Sequence, residues 1–386
     1  MFIAQSSIRL RLAREAGKRR PYSNSLYSNS NATISSSTEA QSAKTYCSNL
    51  LQKYDSPSST LRAFIPPHAR PAYFAIRAFN LEIARIADTV STPQIGALRL
   101  QFWRDNINAA FAGRPPKQPV SILLAHVLED LSVTSQGGKP ALSKSWFLRI
   151  IDAREKYLNN APYPDLAALE SYAENTYATL LYLTLQALPL HSLALDHLAS
   201  HIGKASGIVA VLRGMPLLAF PPPPNHHSNS RGLSPGVEAQ RSGSRQGAVT
   251  LPLDVMAEVG LREEDVFRKG AEAEGLRDAI FKVATRASDH LITARSMLQQ
   301  LQRGEEVDHA FEGEIEEERQ DYGKEGEQQG KSEVGKGFGV LMPAVSTALW
   351  LKRLEKFDFD IFREDLRRRQ WNLPWKAYWA YRRKTF

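Results

Sequence analysis

The chain has 386 residues, 42% of them hydrophobic and 23% charged, with a formal net charge of +8. It is long enough to bury a sizeable core as one large domain or two modest ones, and its single cysteine, Cys47, excludes an intramolecular disulfide and a cysteine-based zinc cage. The charge is unevenly placed, with twelve acids against four bases in 304–338 and eleven bases against five acids in 351–386. The global value therefore does not single out nucleic acid as a partner.

Met1–Thr38 carries Arg9, Arg11, Arg14, Lys18, Arg19 and Arg20 against one acid, Glu15, and runs into Ser/Asn-rich sequence. An Arg-rich, Ser-rich, acid-poor start without a continuous apolar core is the composition of a mitochondrial transit peptide. Residues 1–38 are expected to be that peptide and a disordered leader. Arg20-Pro21-Tyr22-Ser23 resembles a matrix processing site, with Arg three residues before the cut and Ser after it.

From Glu39 the pattern is helical, with apolar residues three and four apart over 39–54, 69–88, 95–112, 119–133, 143–157, 165–187 and 190–215. Pro66-Pro67, Pro93, Gly113-Arg114-Pro115-Pro116 and Gly137-Gly138 punctuate these segments. Further helices are predicted over 272–302, 341–356 and near the C-terminus, and Leu251–Leu261 reads as a short helix closed by Gly260. No uninterrupted apolar run reaches the ~18 residues that span a bilayer. With no period-two strands the class is all-α: one helical domain, 39–386, carrying low-complexity insertions at 221–247 and 304–339. His226-His227, in the first insertion, have no companion at metal spacing.

Near the C-terminus Trp371, Trp375 and Trp379 recur every four residues and form one edge of a helix, among Lys376, Arg382, Arg383 and Lys384. Pro374 fits the first turn, where a missing N–H is tolerated. Two destinations for the tryptophan edge remain open. It either closes the helical core or meets an anionic membrane surface.

Two segments carry a resemblance: Tyr73-Phe-Ala-Ile-Arg77-Ala-Phe-Asn80-Leu-Glu-Ile-Ala84, and Gly203-Lys-Ala-Ser-Gly207-Ile-Val-Ala-Val-Leu-Arg213-Gly214-Met-Pro216-Leu-Leu218. With Leu251-Pro-Leu-Asp254 following, the chain over roughly 39–302 resembles the squalene/phytoene synthase family. The resemblance implies an isoprenoid-synthase type helical bundle with the two segments on facing helices. Such enzymes condense prenyl diphosphates head to head, and magnesium ions held by Asp pairs at i and i+4 draw off the diphosphate. Here the four carboxylate positions are Asn80, Ala84, Gly214 and Leu218, none of them acidic. The resemblance thus implies a non-catalytic member with no metal and no cofactor.

Arg77, Asp88, Gly207 and Arg213 are the candidate residual contacts of an inherited cavity. Asp88 lies about 80° around the wheel from Asn80, whereas Glu82 lies about 200° away, on the opposite face. A cap or an ion pair with Arg85 is the plainer role for Asp88. Gly203, Gly207, Ala210 and Gly214 form a small-residue stripe that either lets another helix approach or leaves a groove.

Within the family the losses resemble a mitochondrial group that serves assembly of NADH:ubiquinone oxidoreductase, complex I. That likeness includes Arg77-Ala-Phe-Asn80-Leu-Glu82, Gln101-Phe102-Trp103 and Gly207–Arg213. It implies assembly intermediates or subunits of complex I as partners and a place on the matrix side of the inner membrane. It also implies peripheral contact with that membrane. The other readings are an active prenyltransferase and a protein that binds a lipid or isoprenoid in the cavity.

Overall fold

The computed structural model describes residues 26–90, 92–134, 142–190, 192–221, 247–303 and 333–386. Backbone contacts divide the chain at Glu39, and Ala40–Phe386 is the larger compact unit. Its helices, in order, are α1 (Leu26–Tyr54, the part from Ala40), α2 (Ser56–Leu61), α3 (Arg70–Ala84), α4 (Ile86–Thr89), α5 (Pro93–Phe111), α6 (Pro119–Thr134), α7 (Lys144–Lys156) and α8 (Leu166–Ala173). There follow a π-helical turn (Glu174–Ala178), α9 (Thr179–Gln186), α10 (Leu193–Ala219), α11 (Leu253–Glu258), α12 (Glu263–Lys269) and α13 (Leu276–Arg303). The chain ends with α14 (333–337), α15 (Pro343–Lys356) and α16 (Leu373–Arg383). No strand occurs among the described residues, so the all-α class predicted from periodicity is the observed one.

Local chemistry sets many of these boundaries. Asp55, Thr92, Asp165 and Ser192 each turn a side-chain oxygen back to a free N–H at a helix start, the tightest being Ala168 N–H to Asp165 at 2.7 Å. Gly260 closes α11 with φ +70, as its position predicted. The Leu261 N–H reaches the Met256 carbonyl at 2.9 Å and the Gly260 N–H that of Ala257 at 3.2 Å. Those two bonds make a Schellman cap, which needs the left-handed residue that glycine supplies.

At the centre, α10 packs against α8, the π-turn, α9, α13 and α15, while α3 lies on α6, α7 and α9. Phe79 anchors the α3 side, its ring 5.7 Å from Trp103 and 5.2 Å from Phe147, both edge-on. By length and composition α10 could cross a bilayer, but its apolar character has a local cause, because Leu198, Ile202, Ile208 and Leu212 are fully buried among its neighbours.

The structure departs from the sequence reading in several places. The segment expected to be helical over 69–88 breaks at Arg85, whose ring-stacking partner Tyr54 lies 3.9 Å away, and a separate turn, α4, follows. The segment 165–187 is split by the π-turn, where the Thr179 hydroxyl donates to the Glu174 carbonyl five residues back. Pro216 does not stop α10, which continues to Ala219. The first helix begins at Leu26 rather than 39, since extending an existing helix needs no new nucleus. Within the predicted insertion 304–339, residues 333–339 are folded: Val334 and Phe338 are buried, Phe338 beside Tyr381 and Phe386. Residues 304–332, most of the 221–247 insertion including His226-His227, and Arg20-Pro21-Tyr22-Ser23 lie outside the described residues.

Candidate functional site

The two segments singled out in the sequence do face each other, across a cavity of about 450 Å³. From α3 it is lined by Arg77, Asn80, Leu81 and Ala84; from α10 by Ser206, Ala210, Arg213, Gly214, Pro216 and Leu217. The α1–α2 corner adds Tyr54, Asp55 and Leu61, α15 adds Thr347 and Trp350, and Leu366 and Arg367 complete the wall.

Asn80 is buried, and its Oδ1 accepts a hydrogen bond of 2.6 Å from Nη2 of Arg154 on α7. Nη1 of the same guanidinium donates to the Tyr172 hydroxyl at 3.2 Å. A cation therefore already holds the first position that the resemblance assigns to a metal-binding carboxylate. Arg77 stacks on Tyr73 at 5.7 Å, and its Nε is buried without an acceptor among the described residues. Ser206 and Thr347 hydroxyls meet at 2.9 Å across the α10–α15 contact. Burial raises the phenol of Tyr177 on the cavity wall, against the lowering pull of Arg154 and Arg213, so it stays a neutral hydrogen-bonding group.

Among the described residues Asp55 is the one carboxylate on the wall, and its Oδ1 accepts the Ser58 N–H at 3.1 Å as the α2 cap. A magnesium cluster needs several oxygen ligands around each ion. Among the described residues no three His, Cys, Asp or Glu side chains converge as a metal site. The side chains present do not fit the ions that the family's chemistry would use.

Three expected positions fall elsewhere. Asp88 is exposed and off the cavity, because the break at Arg85 ends the wheel along which it was projected from Asn80. Gly207 is buried by packing: a Cβ there would meet the Ala173 Cβ at 2.5 Å. Leu218 also misses the cavity, since the open face of α10 runs through Ala210, Arg213 and Leu217, and one more residue turns about 100° away. Arg77, Asn80, Ala84, Arg213 and Gly214 line the cavity. The small-residue stripe thus has two uses. Gly203 and Gly207 take the close approach of α8 and the π-turn, whereas a Cβ on Gly214 would meet nothing within 4 Å.

Sequence reasoning missed Arg154, Arg367, Asp55 and Trp350. The cap sequence Asp55-Ser56-Pro57-Ser58 was a readable signal for Asp55. The other three arrive from distant helices or loops and carry no local signature. Outside the cavity, Glu170 accepts from His290 Nε2 at 3.0 Å and from Arg286, and His290 Nδ1 lies 3.0 Å from His201 Nδ1. Burial alone would raise the Glu170 carboxyl, but the His290 and Arg286 hydrogen bonds outweigh it and hold it down at about 2. Glu82 bonds the Tyr46 hydroxyl at 2.9 Å, a paired surface acid as its face of α3 implied.

The profile of the squalene/phytoene synthase family matches residues 51–219 and 239–378. The human protein "NADH dehydrogenase (ubiquinone) complex I, assembly factor 6" is 32% identical over 341 residues, covering 88% of this chain and 82% of that protein. A Drosophila melanogaster homolog of that factor is 31% identical over 65% of this chain and 67% of its own. A presqualene diphosphate synthase of Sinorhizobium fredii is 28% identical over 39% of this chain and half of its own length. Among solved structures, a dehydrosqualene synthase superimposes with a TM-score of 0.62 at 13% identity, covering 90% of this chain and 98% of that one. A squalene synthase from Alicyclobacillus acidocaldarius gives 0.55 at 14% identity, covering 83% of this chain and 96% of its own, and both likenesses speak to the fold. By sequence profile, by its assembly-factor relatives and by this helical architecture, the chain belongs to the squalene/phytoene synthase family.

Proposed function

We propose that this protein is a non-catalytic squalene/phytoene synthase relative that acts in the assembly of mitochondrial respiratory complex I. The observation that carries the non-catalytic half is the cavity wall: Asn80, Ala84 and Gly214 line it beside three arginines, and Asp55, the one acid there among the described residues, is engaged as a helix cap. Metal-assisted departure of a diphosphate lacks ligands on such a wall. The assembly half rests on the similarity to the human factor across 88% of this chain. Complex I assembly intermediates or subunits are the corresponding partners, and the mitochondrion is the corresponding compartment, entered by removal of the Arg-rich leader near Tyr22.

A place on the matrix face of the inner membrane is supported by the C-terminal helix. Leu373, Ala377 and Tyr381 of α16 turn inward, which leaves Trp375 and Trp379 at 68% and 50% exposure, while Trp371 lies in the turn before the helix, outside the edge expected from the sequence, and is 80% exposed. The tryptophan edge therefore does not close the core. Arg382 and Arg383 end the same helix and Lys376 lies within it, so bases flank an aromatic edge suited to an anionic headgroup layer.

Deleting the gene and resolving respiratory complexes on native gels tests the assembly reading. Isolated loss of complex I is expected, and normal complex I would overturn it. Salt and carbonate extraction of mitochondria tests the membrane reading. Full-length protein is expected on membranes at low salt, and a truncation after Gln370 is expected to be released.

A further inference from the structure

Glu170, His290 and His201 form a polar seam that joins α8, α13 and α10. His290 is buried among apolar neighbours on its own face of α13, Ala287 and Ala294, and Leu198 and Ala205 flank His201 on α10. The Glu170 carboxyl, held at about 2, stays ionised and offers acceptors only. His290 Nε2, 3.0 Å from its Oε1, therefore carries a proton. In the neutral ring Nδ1 is then an acceptor. It lies 3.0 Å from Nδ1 of His201, with the ring centroids 5.3 Å apart. Two ring nitrogens at that distance need one proton between them, and His201 supplies it. A further proton enters on His201 Nε2 and leaves the bond in place, now between an imidazolium and a neutral ring. The next has only His290 Nδ1 to bind. There it would point at the His201 proton and set two positive rings against each other.

The surrounding charges do not favour the doubly charged pair. Arg286 already bonds Glu170, so the two together offset nothing, and the exposed Asp289 acts on Arg286. On α10, His197 lies one turn before His201, and Lys204, three residues after it, faces Glu174 of the π-turn at 3.9 Å. Glu174 also accepts from Tyr182, the titratable residue of α9. The stretch Pro343–Leu351 of α15, which packs on both α10 and α13, has no titratable side chain. α11 meets α13 through the Glu258–Lys282 pair, two turns from His290.

We propose that His201 and His290 are a pH-sensitive clasp between α10 and α13, which holds with one excess proton and opens when both rings are charged. The sign follows from counting protons. The two imidazoles of an unfolded chain each charge near pH 6.5, whereas the clasped pair accepts one proton. Below that pH the unfolded state binds more protons than the folded one, so stability falls as pH falls. The clasp uses no residue of the cavity wall and does not depend on the assembly reading.

Urea unfolding of the full chain and of His201→Gln, compared between about pH 7.5 and 5.5, reads the clasp. Glutamine keeps an N–H for His290 Nδ1 and can turn its carbonyl to a charged ring, so the variant takes one proton in either state. Over that interval the folding constant of the parent chain is expected to fall about 10-fold more than that of the variant. Nitrogen-15 spectra of the histidine rings give a second measurement that needs no variant. At the upper pH they are expected to show protons on His290 Nε2 and His201 Nδ1, with His290 Nδ1 bare. Equal pH dependence of the two chains, or a proton on His290 Nδ1 at the upper pH, would overturn the proposal. Disappearance of the difference in EDTA would overturn it too, because a metal ion rather than a proton would then join the two nitrogens.

Discussion

The middle of α10 and its C-terminal part use the same residue type for opposite purposes. At Gly203 and Gly207 the absence of a side chain lets the π-turn and α8 come so close that a Cβ on Gly203 would lie 2.2 Å from the Ala178 Cα. Two turns further on, Gly214 faces open space on the cavity wall. The middle glycines serve packing, and Gly214 leaves room on the cavity wall. A stripe of small residues therefore has no single meaning, and its neighbours decide it.

That contrast gives the largest expected effect. Gly203→Ala should cost about 3 kcal/mol, near the top of the range for overpacking against backbone that cannot swing aside. Gly214→Ala should stabilise the chain by roughly 0.5–1 kcal/mol, since alanine is the better helix former and nothing obstructs it. Urea unfolding of both variants checks the pair. Equal losses at the two positions would erase the distinction between the packed and the open part.

Asn80 is expected to matter next, through the cation that occupies it. Asn80→Ala leaves Arg154 without its 2.6 Å acceptor and should cost about 1–3 kcal/mol in the same unfolding measurement. Asn80→Asp should be tolerated, because it turns that hydrogen bond into an ion pair, and it should confer no turnover while Gly214 and Leu218 remain.

A smaller effect lies away from the cavity. The Glu170 carboxyl is held at about 2, below its ordinary 4.5, so it contributes stability above pH 4.5. That contribution is lost as pH falls through about 2. Glu170→Gln lacks this part of the acid dependence. Its stability should fall less steeply than that of the parent chain between those two pH values, as followed by circular dichroism. The smallest effect concerns Cys47, fully buried and pushed up to about 12 by burial and then by the nearby Glu82 charge. A thiol reagent should modify it only after unfolding, and rapid labelling of the native chain would contradict that burial.

What the sequence made legible follows from how local each cause is. Helix class and the Gly260 cap could be read because their causes act within a few turns, and family-like spacing marked the two segments that carry Arg77, Asn80, Ala84, Arg213 and Gly214. The break at Arg85, which stacks on Tyr54 thirty-one residues earlier, had no local signal, and it carried the Asp88 projection off its wheel. Arg154 was invisible for the same reason, since its bond to Asn80 spans 74 residues. The tryptophan edge was legible for Trp375 and Trp379 but not for Trp371, which precedes α16, and whether it faced core or water depended on which side Leu373 and Ala377 take.

We propose that the fold has been kept and its metal-dependent chemistry lost. The most direct test incubates the purified chain with magnesium and farnesyl or geranylgeranyl diphosphate and looks for presqualene diphosphate or phytoene. The account predicts no product above a heat-killed control, and reproducible product formation by the wild-type chain would contradict it.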